Sequence, residues 1–194
     1  MGTVEAVAPE ALADLYVRHA MALRDAERPE PEWDLGPVGR AAARELAAQL
    51  PRSVAMAVVV SSTEPKALGT AAPVAERFGV EVVPDERLVE AHRPWVGSPN
   101  DYRAMAHRYL AGFATPGWED ATAVVDRMAA AVREARASVP GQRIAVVGHG
   151  LSLCLHLASV LPEGFDPGGL WARLSFPDAW TVDRADLVLS RCRR

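Results

Sequence analysis

The chain has 194 residues, 49% hydrophobic and 24% charged, with a formal net charge of −4 at pH 7. That length allows one sizeable core and demands no second domain. The acidic balance argues against a nucleic-acid partner, because affinity for a phosphate backbone needs a basic surface.

Residues 1–13 read as a mobile lead, followed by a first strand from Leu15 to Arg18. A polar, proline-rich loop over residues 24–37 comes next. An alanine-rich helix from Gly39 to Leu50 carries Leu46 and Leu50 on one face and is stopped by Pro51. The all-apolar run Val54 to Val60 has the pattern of a strand buried on both faces. Ser61, Ser62 and Thr63 supply hydroxyl caps for a helix that runs to about Phe78, before Gly79. Val80 to Val83 is a further strand, and residues 84–98 read as irregular.

Ser98 and Pro99 open a helix that ends at Gly112, and a longer one spans Glu119 to about Ser138. Its apolar stripe is Ala121, Val124, Val125, Met128 and Val132. A buried strand from Arg143 to Gly148 leads into a helix from Leu151 to Leu161, closed by Pro162. Around Trp180–Val182 and Leu187–Leu189 the tail reads as an edge hairpin or two edge strands, through which two copies could pair as a homodimer. Alternating strands and helices predict a three-layer α/β/α sandwich on a mostly parallel central sheet.

No stretch approaches the run of about 18 apolar residues that a spanning helix needs, so no membrane contact is expected. Residues 1–5 lack the basic segment and apolar block of a secretory signal. Cys154 and Cys192 show neither metal spacing nor a disulfide framework, and Cys154 reads as a small core residue. These features suit a reducing cytoplasm.

Three strand-to-helix junctions, after Val17, Val60 and Val147, are expected at the same sheet edge, where open α/β sheets bind their ligands. They deliver Arg18 and His19; Ser61, Ser62 and Lys66; and His149 and Gly150. Helix N-termini at the second and third junctions would point unpaired N–H groups inward. Cations, imidazoles and dipole ends with few acids describe a phosphate pocket, and Glu90 is the nearest acid on the following loop. Taken alone, His19 would be a hydrogen-bonded structural residue, Lys66 a surface lysine and Glu90 a solvated charge that competes with Glu86. Two rival motifs fail at the last of the three junctions. Leu153 stands where a dinucleotide fingerprint needs its third glycine, and Gly150 stands where a nucleophile elbow needs serine.

Read together, the blocks Tyr16–Ala20, Gly39, Ser61–Ser62 with Lys66–Ala67 and Thr70–Ala71, Leu88–Glu90, and Val147–Gly150 resemble the histidine phosphatase superfamily. That group contains cofactor-dependent phosphoglycerate mutases, phosphohistidine phosphatases and many small phosphomonoesterases. The likeness runs from residue 14 to about 160 and implies a single phosphoglycerate mutase-like domain, with residues 84–118 forming the substrate mouth. It also implies a phosphoenzyme route. His19 attacks phosphorus as a neutral ring, its tautomer fixed by a backbone carbonyl. Arg18, Lys66 and His149 hold the phosphoryl oxygens. Glu90, partly desolvated so that it can carry a proton, serves the leaving alkoxide and then water. No metal and no cofactor is implied, and the partner is a small phosphorylated substrate.

One position departs from the family pattern. Lys66 stands where many members carry arginine, which keeps the charge but loses the two-pronged grip on phosphate. Arg93 could supply the missing guanidinium, and His92 and Trp95 could line the mouth with it. Ser61 is a further candidate for substrate contact. His107 and His156, on helices, are expected to be structural or exposed, and Trp118 and Glu119 only to start a helix. The first reading is therefore a small phosphatase acting on a phosphomonoester or phosphorylated metabolite. The alternatives are a weak or inactive phosphate-binding member of the fold and a protein phosphohistidine phosphatase.

Overall fold

Alternating apolar side chains assign the two faces of a central sheet. The computed structural model describes residues 12–51 and 55–192, so residues 1–11 of the lead and the expected strand start at Val54 lie outside the described residues. Strands β1 (Ala13–Arg18), β2 (Val58–Ser61), β3 (Val82–Pro84), β4 (Ile144–Gly148), β5 (Asp178–Asp183) and β6 (Leu189–Arg191) form one sheet in the order β3-β2-β4-β1-β5-β6. The first four neighbours in that order are parallel, whereas β5 runs antiparallel to β1 and β6 antiparallel to β5.

The helices are α1 (Pro37–Gln49), α2 (Pro65–Phe78), α3 (Pro99–Leu110), α4 (Ala121–Ser138), α5 (Gly150–Val160) and α6 (Pro167–Arg173). Leu15, Val17, Val59, Ala145 and Val147 point to one face and pack against Leu46 of α1 and Ala67, Ala71 and Val74 of α2. Tyr16, Val58, Val60, Ile144 and Val146 point to the other, against Met128 and Val132 of α4 and Leu151 and Cys154 of α5. Each fully buried valine or leucine contributes about 1.5–3 kcal/mol, so this two-sided burial holds the sandwich together. The expected three-layer, mostly parallel architecture is the one observed. No helix among the described residues is long and apolar enough to cross a membrane.

Several local expectations need correction. The N-cap of α2 is Glu64 and not one of the hydroxyls; Ser62 Oγ instead accepts from Glu64 N at 3.2 Å, one turn earlier. Only β6 of the tail hairpin is an edge strand, because β5 is paired on both sides. Helix α6 has no counterpart in the sequence reading: its two glycines mask the helical signal. Trp118 is buried in the core, and Glu119 accepts from Arg127 and from the N–H of His92.

Register sets the site. Arg18 lies level with Gly148 and Ser61 with Val147, so β1, β2 and β4 end together at one edge. At the other end of β1, the buried carboxylate of Asp14 accepts from Arg136 Nε at 2.7 Å, Arg184 Nε at 2.9 Å and the N–H of Ile144 at 3.0 Å. That cluster fixes the register of β1 against β4 from below.

Candidate active site

The residue following β1, His19, is 7% exposed, and its N–H continues the ladder to Gly148 O at 3.0 Å. Ring atom Nδ1 lies 2.7 Å from Ala20 O. A carbonyl can only accept, so Nδ1 carries the proton and Nε2 keeps its lone pair. Ala20 is itself held, its N–H donating to Thr70 Oγ1 at 2.9 Å, while that hydroxyl donates to Lys66 O at 2.8 Å. Burial pushes the His19 ring well below the usual imidazole value, reinforced by His149, Arg18 and Lys66 and opposed by the Ala20 carbonyl. The ring is therefore neutral at neutral pH.

At the N-cap of α5, His149 lies with its ring centroid 4.9 Å from that of His19. Its Nε2 lies 2.8 Å from Ser62 Oγ and 3.4 Å from Glu64 Oε1, and its buried Nδ1 has no protein partner. Burial lowers this ring well below the usual value too, with Lys66, Arg18, Arg127 and Arg93 adding to the effect. Arg18 stacks over Phe176 at 3.5 Å and donates to Leu174 O at 3.2 Å. Gly150 makes room for it: a Cβ there would stand 3.2 Å from Arg18 Nη2 and 3.1 Å from Trp171 Nε1.

These groups open on a cavity of about 310 Å³, within the range of small-ligand sites. Arg18, His19, Lys66, Glu90, Arg93 and His149 all line it, so six of the seven expected site residues come together. Ser61 does not. It is buried in β2 with its hydroxyl donating to Ser62 O at 3.0 Å, and the next residue, Ser62, meets His149 instead. The period of two along a strand explains the miss, since neighbouring side chains point to opposite faces. Trp95 also lines the cavity, whereas His92 is exposed and does not. His107 is exposed, and His156 is buried with Nε2 3.4 Å from the Tyr16 hydroxyl.

The expectation of unpaired N–H groups at the start of α5 fails for two of them, Leu151 and Ser152. Glu90 Oε1 accepts from Ala91 N and Ser152 N, both at 2.9 Å, and Oε2 from Leu151 N at 3.1 Å. A carboxylate from a distant loop thus satisfies two of the orphan donors that a helix start leaves.

The expected scarcity of acids is overturned as well. Lys66 Nζ pairs with Glu64 Oε2 at 2.5 Å and donates to Glu30 O at 2.8 Å. Glu64 Oε1 accepts from Glu90 N at 2.9 Å, and burial raises the Glu64 carboxyl against the pull of Lys66. Arg93 makes a two-pronged pair with Glu30, at 2.8 and 3.0 Å, and reaches Tyr102 Oη at 3.4 Å. Glu64 escaped the sequence reading because residues two apart on a helix do not face each other. The backbone of Glu64 is extended, with φ −67° and ψ 135°, which lets its side chain fold back onto Lys66.

Among the described residues no three metal-ligating side chains gather into a metal site. The profile of the histidine phosphatase superfamily, branch 1, matches residues 15–182. No curated protein is significantly similar to the chain. Solved structures share the fold. A mycobacterial glucosyl-3-phosphoglycerate phosphatase in complex with inorganic phosphate is 23% identical, with a TM-score of 0.71 over 93% of this chain and 95% of that one. Bacillus stearothermophilus YhfR is 24% identical, with a TM-score of 0.68 over 93% and 96%. A mutant phosphoserine phosphatase from Entamoeba histolytica, in complex with phosphoserine, is 17% identical with a TM-score of 0.65 over 93% and 96%.

Proposed function

The chain belongs to the histidine phosphatase superfamily, branch 1, and from that premise we propose that it is a metal-independent phosphatase acting through a phosphohistidine at His19. The observation that carries this reading is the pair of neutral rings, 4.9 Å apart, sharing one cavity with Arg18 and Lys66. Fold neighbours named as glucosyl-3-phosphoglycerate and phosphoserine phosphatases support the reaction class.

His19 Nε2 forms a bond to phosphorus while the bond from phosphorus to the ester oxygen breaks. Arg18, Lys66 and His149 hold the phosphoryl oxygens, where charge accumulates. Ser62 Oγ accepts from Glu64 N and lies within hydrogen-bond distance of His149 Nε2, which orients the ring.

Glu90 protonates the leaving alkoxide, then takes a proton from the water that attacks phosphorus and frees His19. Two of its N–H partners use Oε1 and one uses Oε2, so Oε2 retains a lone pair and is the oxygen that works. The products are an alcohol and inorganic phosphate. Arg93, tied to Glu30, shapes the wall next to the substrate. A cytoplasmic location belongs to the same reading and accords with two free cysteines.

Hydrolysis of 4-nitrophenyl phosphate by the wild type and not by His19→Ala is the expected result; equal rates from both would reject the proposal. One observation favours a second reading. With Lys66 neutralised by Glu64 the protein could bind phosphate ligands without turning them over, and binding with no turnover of any phosphomonoester would establish that instead.

A further inference from the structure

Beyond the phosphoryl-binding end, the cavity changes character. Its outer wall includes Met21, Trp33, Trp95 and Val96. Of the charges nearest this wall, Glu30 and Arg93 pair with each other, and the exposed Arg24 lies over the Trp95 ring at 5.2 Å. The rest of the lining there, Met21, Val96, Trp33 and Trp95, is apolar or aromatic.

The aromatic groups are arranged as a corner. Trp33 and Trp95 meet edge to face with centroids 5.5 Å apart. The Trp33 indole is pinned by its N–H, which donates to Asp25 O at 2.8 Å and to Arg28 O at 3.0 Å. Trp95 and Met21, both cavity-lining, are each 54% exposed, so apolar surface at the mouth stays wet until something covers it. An aromatic corner of this kind favours a flat ring, which stacks at little conformational cost, over a flexible alkyl chain that must be ordered first.

Building on the phosphatase reading, we infer that the substrate is a phosphomonoester whose alcohol portion carries an aromatic or heteroaromatic ring, seated against Trp33 and Trp95. The leaving group of the comparison must be held constant, because aryl esters are intrinsically more reactive. Adenosine 5′-monophosphate and ribose 5-phosphate both release a primary 5′ alkoxide and differ in the ring system; benzyl and hexyl phosphate provide a second such pair. The full-length protein should show kcat/KM about tenfold or more higher for the ring-bearing member of each pair, a ratio that corresponds to the stacking of one ring. Trp95→Ala should collapse both ratios to about threefold or less, since about 1 kcal/mol or more of stacking is lost.

Ratios near one in the wild type, a preference for hexyl over benzyl phosphate, or ratios unmoved by Trp95→Ala would overturn the inference. Calorimetric binding of benzyl phosphonate against hexyl phosphonate, which needs no turnover, separates the two claims. Tighter binding of the benzyl compound without hydrolysis of any ester would sink the phosphatase reading and support the ring site. Hydrolysis with no preference in rate or binding would sink the ring site alone.

Discussion

Glu64→Gln is the sharpest perturbation of the site, because it removes one charge and keeps the shape. The side chains of Lys66 and Glu64 are 4% and 7% exposed, with Nζ 2.5 Å from Oε2. Removing one partner of a buried pair costs about 3–5 kcal/mol, since the other charge stays desolvated. Lys66 keeps its bond to Glu30 O at 2.8 Å and faces a cavity open to water, which lowers the cost. We expect a loss of about 2–3 kcal/mol, which for a chain of this size lowers Tm by about 4–12 °C.

Phosphate binding should move the other way. Two unit charges about 5 Å apart at an effective dielectric constant of about 20 interact by roughly 3 kcal/mol, so deleting the repelling carboxylate tightens phosphate by up to about a hundredfold. Thermal scans with and without inorganic phosphate, together with calorimetric Kd values, measure both effects. Added phosphate should restore much of the variant's lost Tm, by the linkage of binding to stability. A variant with wild-type Tm, or with equal or weaker phosphate affinity, would refute the idea that Glu64 holds Lys66 in check.

Acid should destabilise the fold before the carboxylates titrate. His19 and His149 lie well below the usual imidazole value, and His156 is lowered to about 4 by burial and then by Arg136. Below about pH 6.5 the unfolded chain takes up these protons and the folded chain does not, so stability falls, approaching about 1.4 kcal/mol per pH unit for each ring. Glu64, shifted upward by burial, opposes this by one group at most. Urea unfolding at pH 7 and pH 5.5 tests the sign, and a flat profile would count against neutral buried rings. Imidazole resonances followed by NMR should likewise show His19 and His149 still neutral at pH 6, and protonation midpoints near 6.5 would contradict the site electrostatics. Asp14→Asn should lower Tm by about 6 °C or more, because two guanidinium groups lose a buried partner worth about 3 kcal/mol; an unchanged Tm would remove this cluster from the account.

The parts legible in the sequence are those set by local patterning. The apolar runs around Val17, Val59 and Val146 could only be strands buried on both faces, and parallel strands deliver their ends to one edge. His19 and His149 are the first residues past two such ends, so their meeting follows from register. Contacts between distant loops were illegible. Glu30 lies 36 residues before Lys66 and 63 before Arg93, and no periodicity links them. Glu90 was legible as a candidate acid by resemblance, but its seat on the α5 N-terminus depends on how the loop after β3 folds over β4. Ser61 and Ser62 look equivalent in the chain, and only the pleat of β2 decides which one turns toward His149.

In the proposed route a bond to phosphorus forms and breaks at one nitrogen, His19 Nε2. Rapid quenching of the full-length protein with a turned-over phosphomonoester, followed by peptide mass spectrometry under alkaline conditions, reads that bond directly. A phosphorylated peptide whose modified residue is His19 is expected, appearing before free phosphate and decaying as phosphate is released. Phosphate released without any phosphohistidine, or with the phosphoryl group on His149 instead, would contradict it.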